Sequence, residues 1–220
     1  VTNTILRSML WMFPRDSRAM IIKDVKSFLR DPVQWSQALI FFGLLALVFS
    51  NLRALRYDTW PEVWRNTFAF LNTFSVSAII CSLGSRFVYP QLSLEGHSFW
   101  ILGLSPVKLS RIVITKFFTS FIPLMIISVL LMILSAKMLD ASRISLMVSV
   151  AHAIAVSSAV CGLSTGLGAI FMNLEEQNPS AIVSGFGGTL NLVMSLCFML
   201  LAILPFAFIF HAHSAFRIPL

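Results

Sequence analysis

Residues 107–136 read VKLSRIVITKFFTSFIPLMIISVLLMILSA, and this stretch decides the fold class. Its last charged residue is Lys116, and residues 117–136 carry no charge. A helix of about 20 apolar residues crosses the hydrocarbon core of a bilayer, which is roughly 30 Å thick. The stretch therefore predicts a transmembrane helix.

The composition of the whole chain points the same way. Of its 220 residues, 57% are hydrophobic and 11% are charged, whereas soluble domains have about 45–50% apolar and about 25% charged residues. This excludes a soluble globular enzyme, a disordered chain and a disulfide scaffold. The net charge of +7 comes from basic residues beside the apolar runs. Lipid headgroups and membrane topology explain such a pattern better than nucleic acid does.

The apolar runs predict an all-α fold, a polytopic transmembrane helix bundle of about five spans. Residues 1–31 are expected to form an N-terminal cytoplasmic or interfacial segment, and residues 32–220 the transmembrane domain. The tail, 205–220, is expected to be re-entrant or to lead into a further span, and a chain that begins with Val suggests a piece of a longer protein. The predicted spans are 35–52, 67–89, 107–136, 144–172 and 180–204.

Residues 17–30 have the pattern of an amphipathic helix. Ile21, Val25 and Phe28 fall on one face, and basic residues take the other face, which predicts a helix that lies along the membrane surface. With the N-terminus inside, five spans place ten Lys and Arg residues in cytoplasmic segments and six outside. The excess of positive charge favours that orientation.

Catalytic motifs are absent from the sequence. It has no GxxxxGK[ST] phosphate-binding loop, no HExxH and no GxSxG. His152 is the only histidine within a predicted span, and helix packing or a cavity lining is expected for it rather than catalysis. No acid falls in the middle of a span, which argues against a proton- or sodium-driven carrier. We therefore expect no catalytic, cofactor-binding or metal-binding residues, and an energy source outside the chain.

Three features remain as candidate contact sites. The link 90–111 is long and apolar, so it forms either an interfacial helix or a docking helix for a partner. The Glu175–Glu176 pair either solvates a tight loop or contacts basic groups of a partner or of the first helix. Ser158, Gly162 and Gly166 recur at a spacing of four, which predicts close helix packing in lipid.

Three blocks of sequence resemble the membrane-spanning (permease) part of bacterial ABC exporters of the ABC-2 type. They are KDVKSFLRDPVQWSQ at 23–37, RFVYPQLSLEGHSFWIL at 86–102 and NLEEQNPSAIVSGFGGTL at 173–190. The resemblance implies a permease component that forms the substrate pathway in the bacterial cytoplasmic membrane. It implies a separate ATP-binding-cassette ATPase subunit that hydrolyses the ATP, so that this chain itself would be no enzyme and would bind no cofactor.

The resemblance also implies partners and residue roles. The partners are that ATPase, a second permease unit and membrane lipids, with no nucleic acid, and the ATPase would seat on a coupling helix at 92–104. The alternatives are a gradient-driven secondary transporter or channel and a non-transport membrane scaffold. Residues expected to couple to the ATPase are Glu95, His97, Phe99 and Trp100. Residues expected to line the pathway, or else to hold helices together, are Asn72, Ser75, Ser77, His152 and Asn191.

Overall fold

A computed structural model describes the backbone of residues 14–32, 34–43, 62–99, 104, 108–138 and 143–216. These residues form helices, turns and short links, and they contain no strand, so the all-α prediction is confirmed for them. Residues 34–43 are also helical. The helices are α1 (Arg15–Arg30), α2 (Glu62–Leu83), α3 (Leu109–Met138), α4 (Arg143–Ile170), α5 (Pro179–Ser184) and α6 (Phe186–Phe216).

Among the described residues, four segments are long and apolar enough to cross a membrane, and they correspond to the second to fifth predicted spans. They are Phe70–Gly96, Leu109–Lys137, Leu146–Ile170 and Phe186–Pro205. Large apolar side chains on their outer faces are exposed, with Leu130 at 60% and Leu201 at 66%. Such faces suit a hydrocarbon environment. The first predicted span, 35–52, lies only partly within the described residues.

The second span continues beyond its predicted end. A π-helical turn, Gly84–Val88, follows α2, and two 3-10 segments, Tyr89–Gln91 and Ser93–Ser98, carry the chain onward. Gly96 has φ 51° and ψ −137°, a conformation that glycine adopts readily because it lacks a Cβ. The chain therefore turns directly after Glu95.

The fifth predicted span is divided differently from the prediction. Asn178 accepts a hydrogen bond from the backbone N–H of Ser180, and this cap starts the short α5. The chain breaks at Gly185, and α6 then runs through Pro205 to Phe216. Pro205 lies inside α6 and does not interrupt its helical backbone. The re-entrant tail expected at 205–220 stays a prediction.

The core lies where α2, α4 and α6 pack together around Val76, Val156 and Met199. A Cβ added to Gly84 would lie 2.2 Å from Cγ1 of Val160, and one added to Gly168 would lie 2.5 Å from the carbonyl oxygen of Tyr89. Those contacts are too short for a real side chain. These two glycines therefore let the end of the second span approach α4 closely.

Candidate functional site

Four charged side chains from three separate segments meet at one end of the bundle. Lys23 and Asp24 belong to α1, Glu95 to the 3-10 segment Ser93–Ser98, and Lys116 to α3. The Nζ atom of Lys116 lies 2.8 Å from Oδ1 of Asp24 and 2.5 Å from Oε1 of Glu95. Lys23 donates to the other carboxylate oxygen of Glu95 and lies 3.5 Å from Oδ1 of Asp24. We call these four residues the ion cluster.

Neutral hydrogen bonds hold the same segments in register. The hydroxyl of Thr115 on α3 donates to that of Ser17 on α1 at 3.1 Å. The backbone N–H of Asn173, in the link after α4, donates to the hydroxyl of Ser93 at 3.1 Å. The link between α4 and α5 therefore lies at the same end of the bundle as α1 and Glu95.

Burial makes the pairing of these charges necessary. The side chain of Lys116 is 4% exposed, that of Glu95 8% and that of Asp24 15%, whereas Lys23 is 49% exposed. Burying a charge without a partner costs roughly several kcal/mol of desolvation free energy, even after the surrounding protein relaxes. Two lysines and two carboxylates neutralise one another here. The ion pairs of the cluster therefore hold α1 against α3 and the 3-10 segment Ser93–Ser98.

One carboxylate oxygen of the ion cluster receives no hydrogen bond from the described residues. Oδ2 of Asp24 is buried and has no hydrogen-bond partner among the described residues. A cavity of about 490 Å³ lies between α1, residues 34–43 and α3, and Asp24 is one of its lining residues. No group of three potential metal ligands occurs among the described residues.

Of the four residues expected to couple to a partner, the structure describes the side chains of Glu95 and Phe99. Glu95 is occupied inside the ion cluster. Phe99, after the turn at Gly96, is helical and partly buried. The side chain of His97 and the whole of Trp100 lie outside the described residues.

The residues expected to line a pathway lie between packed helices. Asn72 on α2 donates to the hydroxyl of Ser135 on α3. Ser77 contacts Nε2 of His152 on α4 at 3.1 Å, and Asn191 on α6 donates to Ser164 on α4 at 3.1 Å. Asn72, Ser77, His152 and Asn191 are each at most 8% exposed. Ser75 donates to the carbonyl oxygen of Leu71 on its own helix.

The small-residue motif on α4 lies away from the tightest contacts. Gly162 is exposed, and a Cβ added to it would have the ring of Phe117 as its nearest neighbour, at 4.0 Å. A Cβ added to Gly166 would meet nothing within 4 Å. Ser158 donates to the carbonyl oxygen of Ala155 on the same helix. Among the described residues, the closest approaches occur instead at Gly84 and Gly168, and at Gly187 and Gly188 of α6.

Sequence reasoning singled out Glu95 but missed Lys23, Asp24 and Lys116 as its partners. Lys116 was assigned only to the positive charge on the cytoplasmic side. It nevertheless stands inside a predicted span, and a charged residue there calls for a partner. A lysine within an apolar span predicts a carboxylate partner near the start of the third span.

The acidic pair in the link after α4 makes local contacts. A carboxylate oxygen of Glu176 accepts from the backbone N–H of Asn178 at 2.9 Å. Glu175 is exposed, and its N–H donates to the side chain of Asn173. Glu176 therefore helps to form the turn that precedes α5.

The chain matches a family described as "Putative ATP-binding cassette" over residues 2–218. The match covers almost the whole sequence. The chain belongs to this family. No curated protein and no solved structure matches it.

Membership of the ATP-binding-cassette family corrects several expectations. The assignment to ABC-2-type permeases is wrong, because the matching family is described as an ATP-binding cassette. The expected function, a permease that forms the substrate pathway and relies on a separate ATPase, is wrong for the same reason, and the alternatives match no better. The expectations of no enzyme and no bound cofactor are also wrong, since such a cassette is named for binding ATP. Short motifs could not reveal this, because the sequence contains no GxxxxGK[ST] run.

Proposed function

We propose that this chain is a multi-pass membrane member of an ATP-binding-cassette transport system. The family match over residues 2–218 supports the link to ATP. The four long apolar helices support the membrane location. The bacterial cytoplasmic membrane, with the N-terminus inside, is the location we propose.

The orientation is supported by which segments share one end of the bundle. Lys116 at the start of α3 contacts Asp24 on α1, and the link after α4 contacts Ser93. Most of the basic residues of the sequence lie in α1, in the residues before it, and near the start of α3. The positive-inside tendency therefore supports a cytoplasmic location for this end.

Cysteine labelling tests the orientation. Lys137→Cys lies at the opposite end of the bundle from Glu175→Cys, and both positions are exposed. We expect a membrane-impermeant maleimide to label the first in intact cells and the second only after permeabilisation. The reverse pattern would place the N-terminus outside.

We further propose two protein contacts. Phe99 follows the turn at Gly96 and supports a contact with an ATP-binding-cassette partner on the cytoplasmic side. Gly162 and Gly166, which follow Ser158 at a spacing of four, have no described neighbour that an added Cβ would meet closer than 4.0 Å. Small residues at this spacing suit a second copy of the chain packing in lipid.

Nucleotide photolabelling tests the central proposal. The tagged chain is purified from its native membrane and irradiated with 8-azido-ATP. We expect labelled protein that unlabelled ATP protects, together with ATP hydrolysis that follows the chain through purification. If neither labelling nor hydrolysis exceeds that of a mock preparation from untagged membranes, the proposal is wrong.

Site-specific crosslinking tests the partner contact. A photoreactive phenylalanine analogue replaces Phe99 in one variant and the lipid-facing Leu130 in a control. We expect a crosslink to a second polypeptide from position 99 and none from position 130. Equal products from both positions, or no product from 99, would exclude this contact.

A further inference from the structure

The cavity between α1, residues 34–43 and α3 has an apolar wall and an apolar opening. Phe28 and Phe87 line it, and their ring centroids lie 6.3 Å apart. Leu29 of α1 and Trp35 also line it, and both are exposed, so the cavity reaches the surface between α1 and residues 34–43. Its volume of about 490 Å³ falls within the roughly 300–1,000 Å³ of ligand sites. The wall and the opening fit a hydrocarbon chain.

The surroundings of the opening suit the boundary between lipid headgroups and acyl chains. Trp35 stands at the opening, and tryptophan is enriched at that depth in membrane proteins. Leu39 and Ile40, in the same helical stretch, are exposed and suit contact with hydrocarbon. The amphipathic α1 is expected to lie along the membrane surface. An acyl chain that enters the cavity from the bilayer therefore has its headgroup beside α1.

A basic stripe on α1 adjoins the cavity. Lys23, Lys26 and Arg30 follow one another at helical spacings of three and four, and they line a depression that shares Lys23 and Ser27 with the cavity. Lys23 pairs with Glu95, whereas Lys26 and Arg30 form no ion pair with another described residue. Like charges four residues apart destabilise a helix. An anion bound between Lys26 and Arg30 would remove that repulsion.

The charge beside the cavity favours a negatively charged ligand. The ion cluster also lines the cavity, but its charges pair with one another, so the ligand needs no charge there. Among the described residues that line the depression, Asp31 is the one acid against three bases. A phosphate with a net negative charge therefore complements Lys26 and Arg30.

We propose that this cavity binds one anionic phospholipid, such as phosphatidylglycerol. One acyl chain lies along the aromatic wall, and the phosphate lies against Lys26 and Arg30. The second acyl chain stays in the bilayer. The inference rests on the membrane location proposed above.

Two lipids with the same acyl chains and different headgroup charges provide the test. Delipidated protein in detergent is titrated with phosphatidylglycerol or with phosphatidylcholine, and bound lipid is measured by native mass spectrometry. We expect the anionic lipid to bind about tenfold more tightly, because two basic side chains attract its net charge. Equal affinities would overturn the proposal.

Removal of charge locates the phosphate. We expect the double variant Lys26→Gln/Arg30→Gln to reduce the preference for the anionic lipid to less than about twofold. The matched control, Lys137→Gln/Arg143→Gln, removes two charges at the opposite end of the bundle and is expected to keep the full preference. An equal loss in both double variants would show that the preference reports only net charge, and it would overturn the proposal.

Substitutions in the cavity locate the acyl chain. Ala38 is buried and lines the cavity, whereas its neighbour Leu39 is exposed and does not line it. We expect Ala38→Phe, whose ring takes up space in the cavity, to weaken binding of phosphatidylglycerol at least about tenfold. Leu39→Phe is expected to bind normally, and gel filtration checks that both variants are folded. Full binding by Ala38→Phe would place the chain elsewhere and contradict the proposal.

A ligand without acyl chains tests the same contact in the unaltered protein. Glycerol 3-phosphate carries the anionic phosphate alone, and we expect it to bind at least about a hundredfold more weakly than phosphatidylglycerol, because it buries no hydrocarbon. Comparable affinities would exclude the acyl-chain contact. These titrations contain no nucleotide, so their failure is separate from failure of the photolabelling experiment. A chain that did not fractionate with membranes would instead refute the membrane location itself.

Discussion

Lys116 is the cation on which the ion cluster depends. In the variant Lys116→Met, an apolar chain of similar length replaces the ammonium group that lies 2.8 Å from Asp24 and 2.5 Å from Glu95. Both carboxylates stay largely buried, and only Lys23, which is half exposed, remains to neutralise them. Removing one partner of a buried ion pair costs about 3–5 kcal/mol. Since Glu95 keeps Lys23, we expect a loss of about 3 kcal/mol.

The cost is measured as the free energy of unfolding in mixed micelles, by titration with a denaturing detergent. Lys26→Met is the matched control, because Lys26 lies on the same end of the molecule and makes no ion pair with the described residues. We expect the control to change the free energy of unfolding by less than about 0.5 kcal/mol. If Lys116→Met were no more destabilising than Lys26→Met, the cluster would not fasten α1 to the bundle.

A double substitution separates pairing from simple loss of a side chain. Glu95→Gln removes the negative charge while keeping the shape of the side chain. The double variant is expected to lose less stability than the sum of the two single variants, with a coupling of about 0.5–3 kcal/mol. Strict additivity would show that Glu95 and Lys116 do not stabilise each other.

Two further predictions concern the packing of α4. Gly168→Ala is expected to lower the free energy of unfolding by about 1–3 kcal/mol, because the new methyl group meets the backbone of the second span. Gly166→Ala, whose methyl group meets nothing within 4 Å, is expected to raise it by up to about 1 kcal/mol through helix propensity. Equal effects of the two variants in the unfolding titration would contradict this packing. Ser164→Ala leaves the amide of Asn191 without its partner in a fully buried position and is expected to cost about 0.6–1.7 kcal/mol. A cost below about 0.3 kcal/mol would show that the amide finds another partner.

The long apolar helices were predictable because their signal is local. The helix expected at 107–136 is observed as Leu109–Met138, since a long run without charges favours a continuous helix. The helix N-cap at Asn178–Pro179 was equally predictable, because it is formed by residues that are adjacent in the sequence. Continuation of α6 past Pro205 was not predictable, because it depends on what surrounds the helix.

The candidate site was only partly predictable because its members are distant in sequence. Asp24 and Lys116 are separated by 92 positions, and no periodicity relates them. Glu95 drew attention only as a charge in an apolar link. The association with ATP came from similarity across the whole chain, since no short phosphate-binding motif carries it.

The position of Lys116 also bears on how the chain is made. When synthesis has reached the link before α3, Asp24 and Glu95 already exist, and so does Lys23, which pairs with Glu95. The ammonium group of Lys116, which bridges Asp24 and Glu95, does not yet exist. The arrival of α3 delivers this second cation, and the ion cluster is complete only at that stage. The order of synthesis thus makes α3 the step that completes this end of the molecule.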